Sequence, residues 1–317
     1  MPISNIYKLD KITFPGSIEL DTLSNVQTQF GIKTQKGRAT GNVFPNFVCT
    51  ERQQPQINFS TKALDTLLGL SGAGGAAFTS PVTNYLKQAN TTGSIARATA
   101  SHKKAVFNNS LLYWSSIKLP HAGQGEADCS LMCNYDGTND PIIITSSVAL
   151  AGGLSATNYF GAGPCYINTV QIPGVQEITI NCGIKLIQAG GESDEFDTFI
   201  GIEMGDPEVT IKTFQPVNWE QLLLRGIALN GVSGLTFFAR KYLAQGSTST
   251  GISSRVPNAT AQHIQFQAIN GRAIPVSTDG QESSPISDTL KVECVALTDG
   301  VVPIIATTLS AIAAPTS

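Results

Sequence analysis

Phe47-Val-Cys-Thr-Glu-Arg-Gln-Gln-Pro-Gln-Ile-Asn-Phe-Ser-Thr61 returns later in the chain as Phe199-Ile-Gly-Ile-Glu-Met-Gly-Asp-Pro-Glu-Val-Thr-Ile-Lys-Thr213. Both stretches end in an alternation of apolar and polar residues, the period of a half-buried strand. Glu51, Pro55 and Thr61 fall on Glu203, Pro207 and Thr213 at a constant spacing of 152 residues. Just upstream, Phe30-Gly-Ile-Lys33 recurs as Cys182-Gly-Ile-Lys185 at the same spacing. Self-similarity over such a distance points to one structural unit used twice.

Working outward, Phe14-Pro-Gly16 faces Ile172-Pro-Gly174, and each copy runs from its strand toward a short helix. In the first, Ser60 or Thr61 caps residues 63–68, with Gly69 as the left-handed stop; in the second, Asn218 and Gln221 resemble a capping box before residues 222–225 and Gly226. The hairpin signal Asp136-Gly137 is matched to Asn270-Gly271 at a spacing of 134, which gives the first half a surplus of residues. That surplus is assigned to residues 71–102, read as a long loop or insertion rich in Gly, Ala, Ser and Thr. Further strands are expected over 12–20, 26–34, 105–119, 169–180, 185–189, 235–242, 263–270 and 289–297. The expected fold is all-β with two short helices: two tandem β-sandwich or barrel domains, 1–166 with an insertion at about 71–103, and 167–317, joined near 163–168. Chance likeness between two β-rich segments is the competing explanation. Co-linear matches of three kinds (strand, helix cap and hairpin turn) argue against it.

Of the 317 residues, 41% are hydrophobic, enough for a core, while only 14% are charged and the net charge is −3. Such a balance disfavours a chain whose main task is to grip nucleic acid. No run of about 18 apolar residues is present, and the polar start lacks a basic-then-apolar leader, so assembly in a cytoplasm and no membrane contact are expected. The six cysteines form no C-x-x-C pair and read as buried free thiols.

Catalytic and cofactor motifs are weak throughout. Gly72-Ala-Gly-Gly75 follows a helix instead of opening one, so it does not cradle a dinucleotide. Asp136-Gly-Thr-Asn-Asp140 lacks the twelve-residue frame of a calcium loop, and His102, His121 and His263 have no neighbours at metal-ligand spacing. No enzyme, metal or cofactor is expected, and Trp114 and Trp219 read as packing anchors.

Charge separates the two copies. Glu192, Asp194, Glu195, Asp197, Glu203, Asp206 and Glu208 occupy a span without a basic residue, whereas the equivalent span of the first copy carries Lys33, Lys36, Arg38 and Arg52 with Glu51 as its sole acid. Two readings stand: solvated hairpins that diverged, or hairpins that meet complementary surfaces of neighbouring subunits. The second makes Lys33, Lys36, Arg38, Glu192, Asp194, Glu195 and Asp197 the candidate inter-subunit or inter-ring contacts.

Gly41-Asn-Val-Phe-Pro-Asn-Phe-Val48, then Gln54-Pro-Gln-Ile-Asn-Phe-Ser-Thr61 leading into Leu64-Asp-Thr-Leu67, resembles the tail tube (major tail) proteins of long-tailed bacteriophages, in the form that fuses two tube-like domains. The resemblance implies a structural protein of the virion tail, built in the host cytoplasm. Three chains would make a pseudo-sixfold ring, and stacked rings a conduit for genome ejection. Its partners would be other copies of itself, the tape measure, tail terminator and tail tip proteins, and DNA in transient, non-specific passage. The alternative is a tandem β-sandwich binding module of a tail tip or fibre that recognises a host-surface ligand. For the apolar stretch 301–314, a final strand plus an arm laid on a neighbour and a frayed tail are both open.

Overall fold

The computed structural model describes residues 6–90, 93–150, 152–153, 157–191, 195–214, 226–229, 231, 234–243, 254–281, 284–298 and 301–314. The first part of the chain forms β1 (Ile6–Phe14), β2 (Ile18–Leu20), β3 (Leu23–Gln29), β4 (Ile32–Gly37), β5 (Phe47–Gln53), β6 (Gln56–Thr61), α1 (Leu64–Ser71), β7 (Gly75–Phe78), β8 (Val82–Asn90), β9 (Gly93–Ser94), β10 (His102–Phe107), β11 (Ser110–Pro120), β12 (Glu126–Cys133) and β13 (Ile142–Val148). The second forms β14 (Phe160–Ile167), β15 (Val170–Ile172), β16 (Val175–Asn181), β17 (Lys185–Ala189), β18 (Phe199–Met204), β19 (Glu208–Thr213), β20 (Ile227–Ala228), β21 (Leu235–Lys241), β22 (His263–Ala268), β23 (Gly271–Gln281), β24 (Ser284–Cys294) and β25 (Ile305–Ser310). The fold is all-β.

Strand order repeats. One sheet of the first half runs β13-β10-β8-β1-β2, with β9 beside β8, and its counterpart runs β25-β22-β21-β14-β15. The second sheet runs β7-β11-β12-β6-β3 in the first half and β20-β23-β24-β19-β16 in the second. These two join edge to edge where β11 pairs with β16, giving one ten-stranded sheet through the molecule. Each half adds a free-standing hairpin, β4-β5 and β17-β18, with the same register and the same bulge.

Alternation builds the core. In β12 Ala127, Cys129, Leu131 and Cys133 are buried, and Ile57, Phe59, Leu112, Trp114, Ile178, Ile180, Val209, Ile211, Leu290 and Val292 join them from the other strands of the long sheet. Ile12, Phe14, Val82 and Phe107 meet them from the five-strand path of the first half, Phe237 and Phe266 from that of the second. Each Val, Leu, Ile or Phe among them contributes about 1.5–3 kcal/mol through removal from water. All six thiols are free; burial pushes Cys129, Cys133, Cys165 and Cys182 up and Cys294 up to about 12, which keeps them inert.

Several sequence expectations change. By strand order the second copy begins at β14, ahead of the join expected at 163–168. Residues 71–102 are not a loop: they hold β7 and β8, and β8 lies between β1 and β10. Its inward positions include Asn84 and Gln88, so the apolar alternation that marks a strand is missing there. Helix α1 starts at Leu64, buries Leu64, Leu67, Leu68 and Ser71 along one face, and passes through Gly69 to stop at Gly72 (φ 58°). Thr61 Oγ1 does accept from Ala63 N at 3.2 Å, ahead of the helix. The second expected helix, at 222–225, lies outside the described residues.

Two matches within the repeat are also reassigned. Pro15-Gly16 turns between β1 and β2 but Pro173-Gly174 between β15 and β16, so the equivalents are Thr22 and Gly174: Lys62 N bonds Thr22 O at 3.3 Å and Phe214 N bonds Gly174 O at 3.1 Å. Asn270 corresponds to Asn109 and not to Asp136, because Asn134 N bonds Asn109 O and Val295 N bonds Asn270 O, both at 3.1 Å. The spacing between equivalents therefore grows to 161 residues, from 109 to 270 and 134 to 295, and the surplus belongs to the second half. Residues 305–314 are not a frayed tail: β25 is the final strand and pairs with β22, and Ile312 packs on Tyr166 and Phe238 of the same chain.

Candidate functional site

A chain of repeated sheets ends in two unlike edges. The inner junction uses Ile117 against Ile180 and Lys118 against Thr179, just past a bulge between Trp114 and Ser116. The equivalent bulge in β23 lies between Pro275 and Ser277, followed by Thr278 and Asp279. Thr28 and Gln27 of β3 stand where Ile180 and Thr179 stand in β16. Among the described residues no strand flanks the far side of β3, and β20 flanks β23 only at Arg272 and Ala273. The molecule thus carries the two complementary halves of its own internal junction at opposite ends.

The outward face of the long sheet is polar and internally satisfied. Asp128 accepts from Ser60 at 2.7 Å and Ser116 at 3.0 Å, Glu126 from Ser24 at 2.6 Å, and Asn58 from Ser130 at 2.7 Å. Glu177 pairs with Lys118 at 2.8 Å and Lys212 at 3.4 Å; burial pushes its carboxyl up, but the two ammonium groups outweigh that and hold it below the usual range. Lys291 bridges Glu208 at 2.7 Å and Glu293 at 3.3 Å.

The hairpins hold the charged residues singled out from the sequence. Lys33, Lys36 and Arg38 are exposed on the first hairpin, whose tip forms a groove of about 430 Å³ lined by Lys36, Pro45, Asn46, Phe47 and Val48. Glu195 is exposed, while Asp197 is only 2% exposed. Glu192 and Asp194 lie outside the described residues. The structure brings Asp197 to Arg52 of the same chain and not to an outer surface: Arg52 Nε and an Nη donate to the two carboxylate oxygens at 2.6 Å each, and the same Nη reaches Gln188 O at 2.8 Å. Gln54 Nε2 adds 2.9 Å to Asp197, and Gln53 N donates to Glu195 O at 2.6 Å beside a parallel bridge from Gln53 to Phe196. Tyr135 stacks on Phe196 with centroids 5.9 Å apart. Arg52, Gln53, Gln54 and Tyr135 were outside the sequence-based contact set; the charge contrast had marked Arg52, but its partner depends on how the halves meet.

His102 and His263 occupy equivalent buried places. Each Nδ1 accepts a backbone N–H, from Gln88 at 2.9 Å and Lys241 at 3.1 Å, and each Nε2 reaches a carbonyl six residues back, Ala96 at 3.0 Å and Pro257 at 3.1 Å. They clamp a loop onto a strand in each half. No group of three His, Cys, Asp or Glu suited to a metal occurs among the described residues, and none of their helices is long and apolar enough to cross a membrane. The fold defines a class, a duplicated all-β protein whose matching edges have no strand beside them among the described residues, apart from β20 at Arg272 and Ala273. No protein-family model matches the chain, and no curated protein matches it.

Proposed function

We propose that the protein is a self-assembling structural component whose copies join head to tail into rings, and that stacked rings form the tube of a bacteriophage tail. The observation that carries this is the β11–β16 junction, because the same two edges, β3 and the part of β23 past its bulge, have no strand beside them among the described residues. A contact between unlike surfaces propagates until it closes or winds into a filament. Two equivalent units per chain suit three chains around a pseudo-sixfold axis, and closure would also cover the strand edges that are otherwise sites of aggregation.

The polar face of the long sheet supports the role of conduit wall. Its carboxylates are already engaged by hydroxyls and lysines, so it offers few free cations to hold a phosphate backbone and delay its passage. The resemblance of residues 41–67 to tail tube proteins agrees with this reading.

Light scattering and negative-stain microscopy of the purified chain, over a range of concentration and salt, test it. Rings or tubes with an open channel, in multiples of three chains, are expected. A monodisperse monomer at high concentration would reject assembly in favour of a binding module for a host-surface ligand.

A further inference from the structure

The two hairpins are superposable in register, yet among the described residues only the second is seated on the other half. Residues 195–197 are seated on the first half, against Gln53 and Asn134 to Tyr135. Their equivalents, Val43, Phe44 and Pro45, leave Val43 74% and Phe44 78% exposed. In the second half the surface equivalent to Gln53, Asn134 and Tyr135 is Gly205, Val295 and Ala296, and beside it Leu297 is 75% exposed.

Both sides of this vacant contact differ from the internal one in the same direction. Within the chain, Asp197 meets Arg52, and Phe196 meets Tyr135. At the equivalent places Pro45 stands for Asp197 and Met204 for Arg52, while Phe44 keeps its ring and faces an aliphatic set. Charge answers charge inside the chain, and apolar answers apolar at its ends. We infer that the hairpin tip 43–45 of one copy docks on Gly205 and 295–297 of a second copy of this chain, in the register that residues 195–197 adopt on Gln53 and Tyr135; this rests on the ring reading above. Gly205 N then donates to Val43 O as Gln53 N does to Glu195 O, and Phe44 packs between Val295 and Leu297. The division of chemistry also sets order. A second-half tip placed on the apolar site would bury Asp197 without its arginine, so internal and external junctions do not exchange.

Cross-linking tests the register. In a Cys49→Ser background, Phe44→Cys chains are mixed with Gly205→Cys chains under mild oxidation. Parallel bridge partners lie within the ~4.4–6.8 Å Cα range of a disulfide. A side chain at Gly205 is tolerated, since its Cβ would meet nothing nearer than Cys182 O at 3.9 Å. Gln53→Cys with Phe196→Cys in one chain provides the internal control. Linked dimers are expected in the mixture and in neither variant alone. In the second arm Phe44→Asp, at an exposed position, should leave thermal unfolding of the monomer unchanged and raise the concentration needed for assembly about tenfold or more. Rings without cross-links, while the control pair links, or normal assembly of Phe44→Asp, would overturn the docking and leave the ring reading standing. A chain that never assembles would overturn both.

Discussion

Gly31 and Gly183 hold the same place in the two halves, at φ 59° and 60°, and a Cβ on either would sit 2.1 Å from the carbonyl oxygen of Gln54 or Asp206. Both the left-handed backbone and the close approach demand glycine. Gly31→Ala or Gly183→Ala is expected to destabilise the fold by about 3 kcal/mol or more, read by denaturant unfolding. Arg52 and Asp197 set a second residue-scale expectation. Arg52→Ala strands a buried carboxylate and should cost about 3–5 kcal/mol, while the double variant with Asp197→Ala should recover part of it. His263 makes a third. Burial first, and then the charges of Arg240 and Lys241, hold its pKa below the ordinary 6.5 against the pull of Pro257 O. The unfolded chain therefore takes up the proton first, and stability present above about pH 6.5 is lost as pH falls through the lower folded value. Melting temperatures across that interval should fall less steeply for His263→Asn than for the wild type, from a lower starting point at neutral pH.

At the scale of elements, β8 separates two readings of residues 71–102. Tyr85 lies between Lys11 of β1 and Lys104 of β10, so Tyr85→Pro removes a ladder position inside a sheet. Circular dichroism should show loss of cooperative folding, at about 3 kcal/mol or more, where a loop would absorb the change. The hairpins show why some elements were readable. Register, bulge and tip length recur without insertion between 33–52 and 185–204, so the 152-residue spacing visible in the sequence maps one onto the other. β8 was hidden because Asn84 and Gln88 point inward. The surplus residues were misplaced because an Asn-Gly or Asp-Gly pair marks a hairpin without saying which hairpin.

For the whole molecule, the open edges and the hairpin tips belong to one proposed interface. Lys36 and Arg38 stand exposed beside the apolar tip. Reversing both to Glu is expected to leave the monomer's melting temperature within about 1 °C and to impair assembly at low salt, with recovery as salt screens the repulsion. Normal assembly of that variant at low salt would remove these charges from any contact between subunits.

The sequence by itself determined the all-β class, the duplication and its spacing through the hairpins, the free thiols and the charge contrast between the copies. Those are properties of local period and of composition, which a linear pattern carries. Which edges meet, and that Asp197 finds Arg52 within its own chain, was decided only by the tertiary structure. Tertiary contacts join residues far apart in the chain, as strand pairing joins Ile117 to Ile180 across 63 positions and an ion pair joins Arg52 to Asp197 across 145. No local pattern states which of two similar copies supplies the partner; the packing of the two halves along one sheet does.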